Sequence, residues 1–257
     1  MEQDKSVITL TFGDMAENHV GMEKIGKLVK KGEGFQVAEL DEIAENLANT
    51  FDLNCEIFPL NIDGRDQEEA ALLVIRDGVN RILNSSEAHS NLFQEQANLE
   101  VDKRAFMYGR VVNKHARWNL CFDDVGHEPD YENGKGRVIA YDNIPLTKTL
   151  LDNLVKVIGK KAHGLKGEGN YYYDTKKCGI GFHGDSERRK VIAVRLGASL
   201  PIHYQWYRDS EPIGERIKVE LNGGDIYIMS EKAVGTDWKL KRIDTLRHAT
   251  GCDKFTK

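Results

Sequence analysis

Apolar positions recur along this chain with two different periods. In "VAELDEIAENLANTF" Leu40, Ile43, Leu47 and Phe51 share one helical face and the charges take the other, which predicts an amphipathic helix. A second helix is predicted over "PLTKTLLDNLVKVIGKK", where Leu146, Leu150, Leu154 and Ile158 form a stripe and Thr147 or a neighbour is placed to cap the start. "SVITLTF" is a β-branched run and predicts a strand, whereas "AALLVIRDG" fits a buried strand or a helix. After Gly164 the spacing tightens. "NYYYD", "RKVIAVRLG", "PIHYQWYRD", "RIKVELNGGDIYIM" and "DTLRHAT" follow as short β-rich runs, with turn chemistry at 209–214 and 222–224. Ile217, Val219 and Leu221 alternate with other positions, so one face of that run is buried and one wet. Closely spaced strands of this kind predict an antiparallel barrel or jelly roll.

The polar stretch 84–105 is the best candidate boundary. It would separate an N-terminal α/β region of unknown role, residues 1–95, from residues 96–257, whose β-rich core spans 165–257. The expected class is therefore α+β, and 257 residues suffice for one large domain or two modest ones. No apolar run reaches the length of a membrane span, and "MEQDKSVITL" lacks the basic and apolar regions of a signal peptide. An intracellular protein without membrane contact is expected. With a net charge of −5, a nucleic-acid partner would have to find a local basic face. The four cysteines are far apart with no C-x-x-C pair, which argues against a zinc knuckle and makes free thiols the default.

The chemistry concentrates in "GFHGDSERRKV", which holds the only His-x-Asp of the chain. On a strand, positions two apart point to the same side, so His183 and Asp185 could converge on one ion while Gly184 leaves the outer side clear. A non-haem Fe(II) site needs two histidines and one carboxylate on one face, with positions left open. The third ligand must come from a strand distant in sequence. His248 in "TLRHATG" is the best candidate, and His203, mid-strand among aromatics, is the other. Taken alone, a His-Gly-Asp is also what a surface turn looks like.

Other motifs stand in a fixed order around that pair. Asn170 and Tyr172 form an N-x-Y before it, and "VRLG", "GGDIYIMS" and "RHATG" follow. Together these make residues 170–257 resemble the catalytic core of Fe(II)- and 2-oxoglutarate-dependent dioxygenases, nearest to the AlkB-like branch. The whole chain also resembles uncharacterised proteins of large DNA viruses. The resemblance implies a double-stranded β-helix, a metal held by His183, Asp185 and His248, and oxidation of a C–H bond with 2-oxoglutarate and dioxygen as cosubstrates. It implies that Asn170 and Tyr172 contact 2-oxoglutarate. The branch follows its distal histidine with arginines, one of which pairs with the cosubstrate carboxylate, but no arginine follows His248 here. Lys257 is the expected substitute, from its distance to His248 and the strand-like alternation of "FTK", with Lys254 second. Arg195 stands where the branch usually has a small residue, and is a further candidate for cosubstrate or substrate contact.

Substrate choice is expected before the core. "VDKRAFMYGRVVNKHARWNLCF" interleaves Lys103, Arg104, Arg110, Lys114 and Arg117 with Phe106, Tyr108 and Trp118, a pattern suited to a single-stranded or flipped base, or equally to an amphipathic strand pair. Arg188, just after the metal motif, adds positive charge at the expected mouth. The polar segment 123–137 is expected as a loop folded over the pocket. The leading reading is oxidation of a nucleobase. A prolyl-type protein hydroxylase and a non-catalytic β-helix binding module are the alternatives.

Overall fold

In the computed structural model, which describes residues 1–257, the N-terminal strand lies at the centre of the largest sheet. This is β1 (Val7–Gly13), the β-branched run. A small ribbon of β2 (Met15–Glu17) and β3 (Lys24–Gly26) follows, then helix α1 (Val37–Phe51) and strands β4 (Cys55–Pro59) and β5 (Ala71–Ile75). The ambiguous "AALLVI" run is thus a strand. Next come helices α2 (Gly78–Ile82) and α3 (Ala88–Ala97), and a hairpin of β6 (Arg104–Met107) and β7 (Arg110–Asn113). Strands β8 (Trp118–Asp123) and β9 (Val138–Ala140) lead to helix α4 (Pro145–Ile158). The strands of the second half are β10 (Lys166–Tyr172), β11 (Gly179–His183), β12 (Val191–Gly197), β13 (Ile202–Arg208) and β14 (Glu211–Val219). The chain closes with β15 (Ile226–Met229), helix α5 (Glu231–Val234), β16 (Thr245–Gly251) and helix α6 (Asp253–Thr256).

The result is a mixed α+β protein, largely β. One sheet has eight strands in the order β4-β5-β15-β12-β1-β10-β8-β9, the other four in the order β11-β16-β13-β14. Strands β10 to β13 alternate between the two sheets, and β1 pairs antiparallel with both β10 and β12. The long sheet has two covered faces. On one, Ile8, Leu10, Phe12, Ile192, Val194 and Tyr171 pack with Leu40, Leu47, Leu92, Leu150 and Leu154 of the helices. On the other, Leu72, Val74, Val191 and Met229 meet Ile202, Tyr204, Trp206 and Leu246 of the short sheet. Burial on both faces explains why β5 and β12 read as near-continuous apolar runs rather than alternating ones.

The polar stretch at 84–105 is not a division between cores. Residues 1–95 supply β1, β4 and β5 to the same sheet as β12 and β15, and α3 lies inside the stretch. Its polarity has a local cause in Glu95, whose carboxylate accepts the backbone N–H groups of Leu146 (2.8 Å) and Thr147 (2.9 Å) at the start of α4. Glu95 thus caps that helix in place of Thr147, which sits buried one turn inside with its hydroxyl on Glu95 and Gln96. No helix is long and apolar enough to cross a membrane.

Candidate metal centre and its cavity

β11 and β16 are neighbours, and their register sets His183 directly opposite His248 with ring centroids 4.5 Å apart. Asp185 follows where β11 ends, and its Oδ1 lies 3.6 Å from His183 Nε2 and 3.7 Å from His248 Nε2. One ligand atom from each of the three lies within 4.8 Å of the others. Gly184 is required between them: a Cβ there would sit 2.1 Å from the Gly235 carbonyl oxygen and 2.8 Å from Trp238 Cβ. His203 points away from this cluster and does not line the cavity, so His248 is the partner.

The protonation states of the two histidines suit a metal. His183 Nδ1 faces the carbonyl oxygens of Gly181 (2.8 Å) and His248 (3.0 Å), so the proton belongs on Nδ1 and the Nε2 lone pair is left for a ligand. Burial lowers the pKa of His183 to about 4 and that of His248 well below its ordinary value, keeping both imidazoles neutral. Burial also pushes the Asp185 carboxyl up to about 8, against the pull of Arg188. The Asp185 backbone N–H donates to Val234 (3.0 Å), and Arg188 Nε stands 3.6 Å from Asp185 Oδ2. Arg188 is itself buried between Glu168 and Glu187. It is a nearly fully buried strut behind the triad that also lines the cavity, held by two carboxylates while one terminal nitrogen has no partner, so the positive charge expected at the mouth lies inside it.

The triad opens on a cavity of about 570 Å³ between the sheets. A polar row crosses its wall. Asn119, Asn170, Thr9 and Arg195 lie side by side on β8, β10, β1 and β12. Asn170 Oδ1 accepts from Arg117 Nε (2.6 Å) and Asn119 Nδ2 (2.8 Å), and Tyr172 lines the same cavity two residues on. Arg195 is fully buried, on the face of β12 shared with Val191 and Ala193. One of its terminal nitrogens donates to Thr9 Oγ1 (2.6 Å), while Nε and the other terminal nitrogen have no partner and no carboxylate pairs with it. A buried cation left this way costs several kcal/mol unless an anion joins it. Arg195 thus presents two unpartnered N–H groups in the wall of the cavity that the triad lines.

Lys254 and Lys257 do not reach this cavity. β16 ends at Gly251, whose positive φ of 125° turns the chain into α6 where a strand was expected. Lys257 is exposed and bonds Asp253 (2.8 Å), and Lys254 lies by the Phe255 ring. The basic and aromatic residues of 101–122 are mostly engaged within the protein. Lys114 is half-buried, with its ammonium on Asn18 (2.7 Å) and Asn119 (3.0 Å), and its desolvation lowers its pKa to about 8. Trp118 is stacked on Tyr173 at 4.4 Å with Lys103 against its ring, and Arg104 covers Tyr131. Of that group Arg117 alone lines the cavity. The segment 123–137 does not line it either. Residues 17–22 and Lys24, a segment whose His19 matches no ligand spacing in the sequence and whose Met22 reads as a core residue, line the cavity together with Trp238 and Lys239. Thr9 and Thr11 were missed, although two threonines on one side of an otherwise apolar strand are the signal that marks them.

No protein-family model matches the chain. It is 53% identical to uncharacterized protein R156 of Acanthamoeba polyphaga mimivirus, over 262 aligned residues that cover 100% of both chains. Identity at that level over the full length makes the two proteins members of one family, and this chain belongs to it.

Proposed function

We propose that this protein is an Fe(II)- and 2-oxoglutarate-dependent dioxygenase that hydroxylates or demethylates a nucleobase in DNA or RNA. One observation carries the reading: two neutral imidazoles and one carboxylate converge on a cavity whose wall also holds a buried, unpaired arginine. Two nitrogens and one oxygen on a single face, with the remaining directions open, suit Fe(II). Seven strands, β10 to β16, with β1 between β10 and β12, also support a double-stranded β-helix in which the N-terminal strand supplies the eighth position.

His183, Asp185 and His248 would hold the metal. Arg195, steadied by Thr9, would take one carboxylate of 2-oxoglutarate as a bidentate fork. With dioxygen, the loaded centre supplies the oxidation of a C–H bond, with succinate and carbon dioxide as coproducts. The chain supplies the rest. Asn170 holds Arg117 at the cavity wall, and burial raises the Tyr172 phenol to about 12, leaving it a neutral donor. At about 570 Å³ the cavity exceeds what one small dicarboxylate fills, which leaves room for a flat base beside the metal.

Purified protein given Fe(II), ascorbate and 2-oxoglutarate should release succinate slowly without any substrate. A protein that takes up no iron and makes no succinate when supplied with Fe(II) and 2-oxoglutarate would overturn the reading.

A further inference from the structure

The outward side of the short sheet bears a second feature. Phe182 and Arg247 are the neighbours in sequence of His183 and His248, so they point to the opposite face from the metal ligands. The Arg247 guanidinium lies 3.8 Å from the centre of the Tyr207 ring and 5.3 Å from that of Trp238, and its Nε has no partner. Lys239 lies 5.4 Å from the Trp238 ring, and Arg216 4.9 Å from that of Phe182. Trp238 links this face to the site: it packs on Gly184, donates from Nε1 to Ser186 Oγ (2.9 Å), and lines the cavity with Lys239. Exposed Lys241 and Arg242 extend the positive charge along the same loop. The nearby acids are already matched: Asp237 bonds Lys232 (2.7 Å), and Asp244 bonds Arg65 (2.5 Å) and Arg208 (3.2 Å).

We propose that single-stranded nucleic acid runs along the path Tyr207–Arg247–Trp238–Lys239 and enters the cavity past Trp238. Half-exposed rings interleaved with unpaired cations offer stacking for bases and neutralisation for phosphates in alternation. An acidic peptide would use the cations but has nothing to lay on the rings. The proposal deepens the nucleobase reading and rests on it for the identity of the strand. Its location differs from the segment 101–122, of which only Arg117 reaches the cavity, whereas Trp238 and Lys239 both line it.

The test is fluorescence anisotropy of a labelled twelve-nucleotide single strand, DNA and RNA in turn, with the full-length protein across a salt series. Lys241→Ala with Arg242→Ala, both exposed, should weaken binding about tenfold and flatten the salt slope by roughly one to two contacts. Arg247→Gln should weaken it further. Lys103→Ala with Arg104→Ala should leave it unchanged, and loss of binding there instead would overturn the path. Tighter binding of a labelled poly-glutamate peptide than of either oligonucleotide would overturn the partner. Anisotropy is read on the metal-free protein, and Fe(II) binding is followed by a separate titration without oligonucleotide. Failure of the path and failure of the iron chemistry are therefore read separately.

Discussion

At Asp185 a buried carboxyl faces two neutral imidazoles, and its proton has to leave before a metal can bind. Its pKa is raised to about 8, so below that pH the metal competes with the proton and above it does not. The histidines, lowered by burial, add no competition near neutrality. Metal affinity should therefore rise about tenfold per pH unit from pH 6 to 8 and then level off, with roughly one proton released per ion at pH 6.5 by calorimetry. Asp185→Asn should weaken binding and abolish that slope. An affinity independent of pH in the native protein would contradict the protonated carboxyl. At Arg195, substitution by Met should weaken 2-oxoglutarate binding on the order of 100-fold, the scale of losing a buried charge-assisted contact, with Fe(II) affinity unchanged. Lys254→Ala and Lys257→Ala should bind normally. A reversed pattern, read by titration of the iron-loaded protein, would return the anion site to the C-terminus. That His183, Asp185 and His248 come together was legible in sequence because spacing on strands fixes which side chains share a face. Arg195 stood among the cosubstrate candidates behind Lys257 and Lys254, and the turn at Gly251 reverses that order because it ends the final strand before either lysine can point inward.

At the level of elements, β1 governs the architecture. "SVITLTF" announced a strand, but nothing local reveals that it inserts between β10 and β12, since its partners lie some 150 to 190 residues away. The apparent boundary at 84–105 failed for a related reason: its polar residues serve α4 across space, and composition alone cannot distinguish that from a linker. The helices were better read, because the stripe Leu150 and Leu154 is a local pattern that packing merely confirms. Two stability measurements follow. Leu10→Ala, at a fully buried position in the middle of β1, should cost about 2–5 kcal/mol in denaturant unfolding. If residues 1–95 folded as a separate unit, the same substitution would split the transition in two instead of shifting one cooperative transition. Glu95→Ala should cost about 1–2 kcal/mol by uncapping α4, and no change in midpoint would show that the cap is dispensable.

Across the whole molecule, helices back the long sheet, the short sheet closes over its other face, and the cavity lies where the two sheets meet at the triad. His183 and His248 come from the short sheet, with Asp185 just past β11, and Arg195 comes from the long one, on the strand that pairs with β1. The centre can assemble only when both ends of the chain are in place. Mean composition hides this, and so does a net charge of −5, since the cations that face the cavity and the outer path are few and local. The central claim is tested most directly by anaerobic titration of the protein with Fe(II) and then 2-oxoglutarate, followed by absorption spectroscopy. One iron per chain is expected, with a charge-transfer band that appears on adding 2-oxoglutarate, is lost in His183→Ala, and needs far more 2-oxoglutarate in Arg195→Met. No bound iron, or a band unaffected by either substitution, would contradict it.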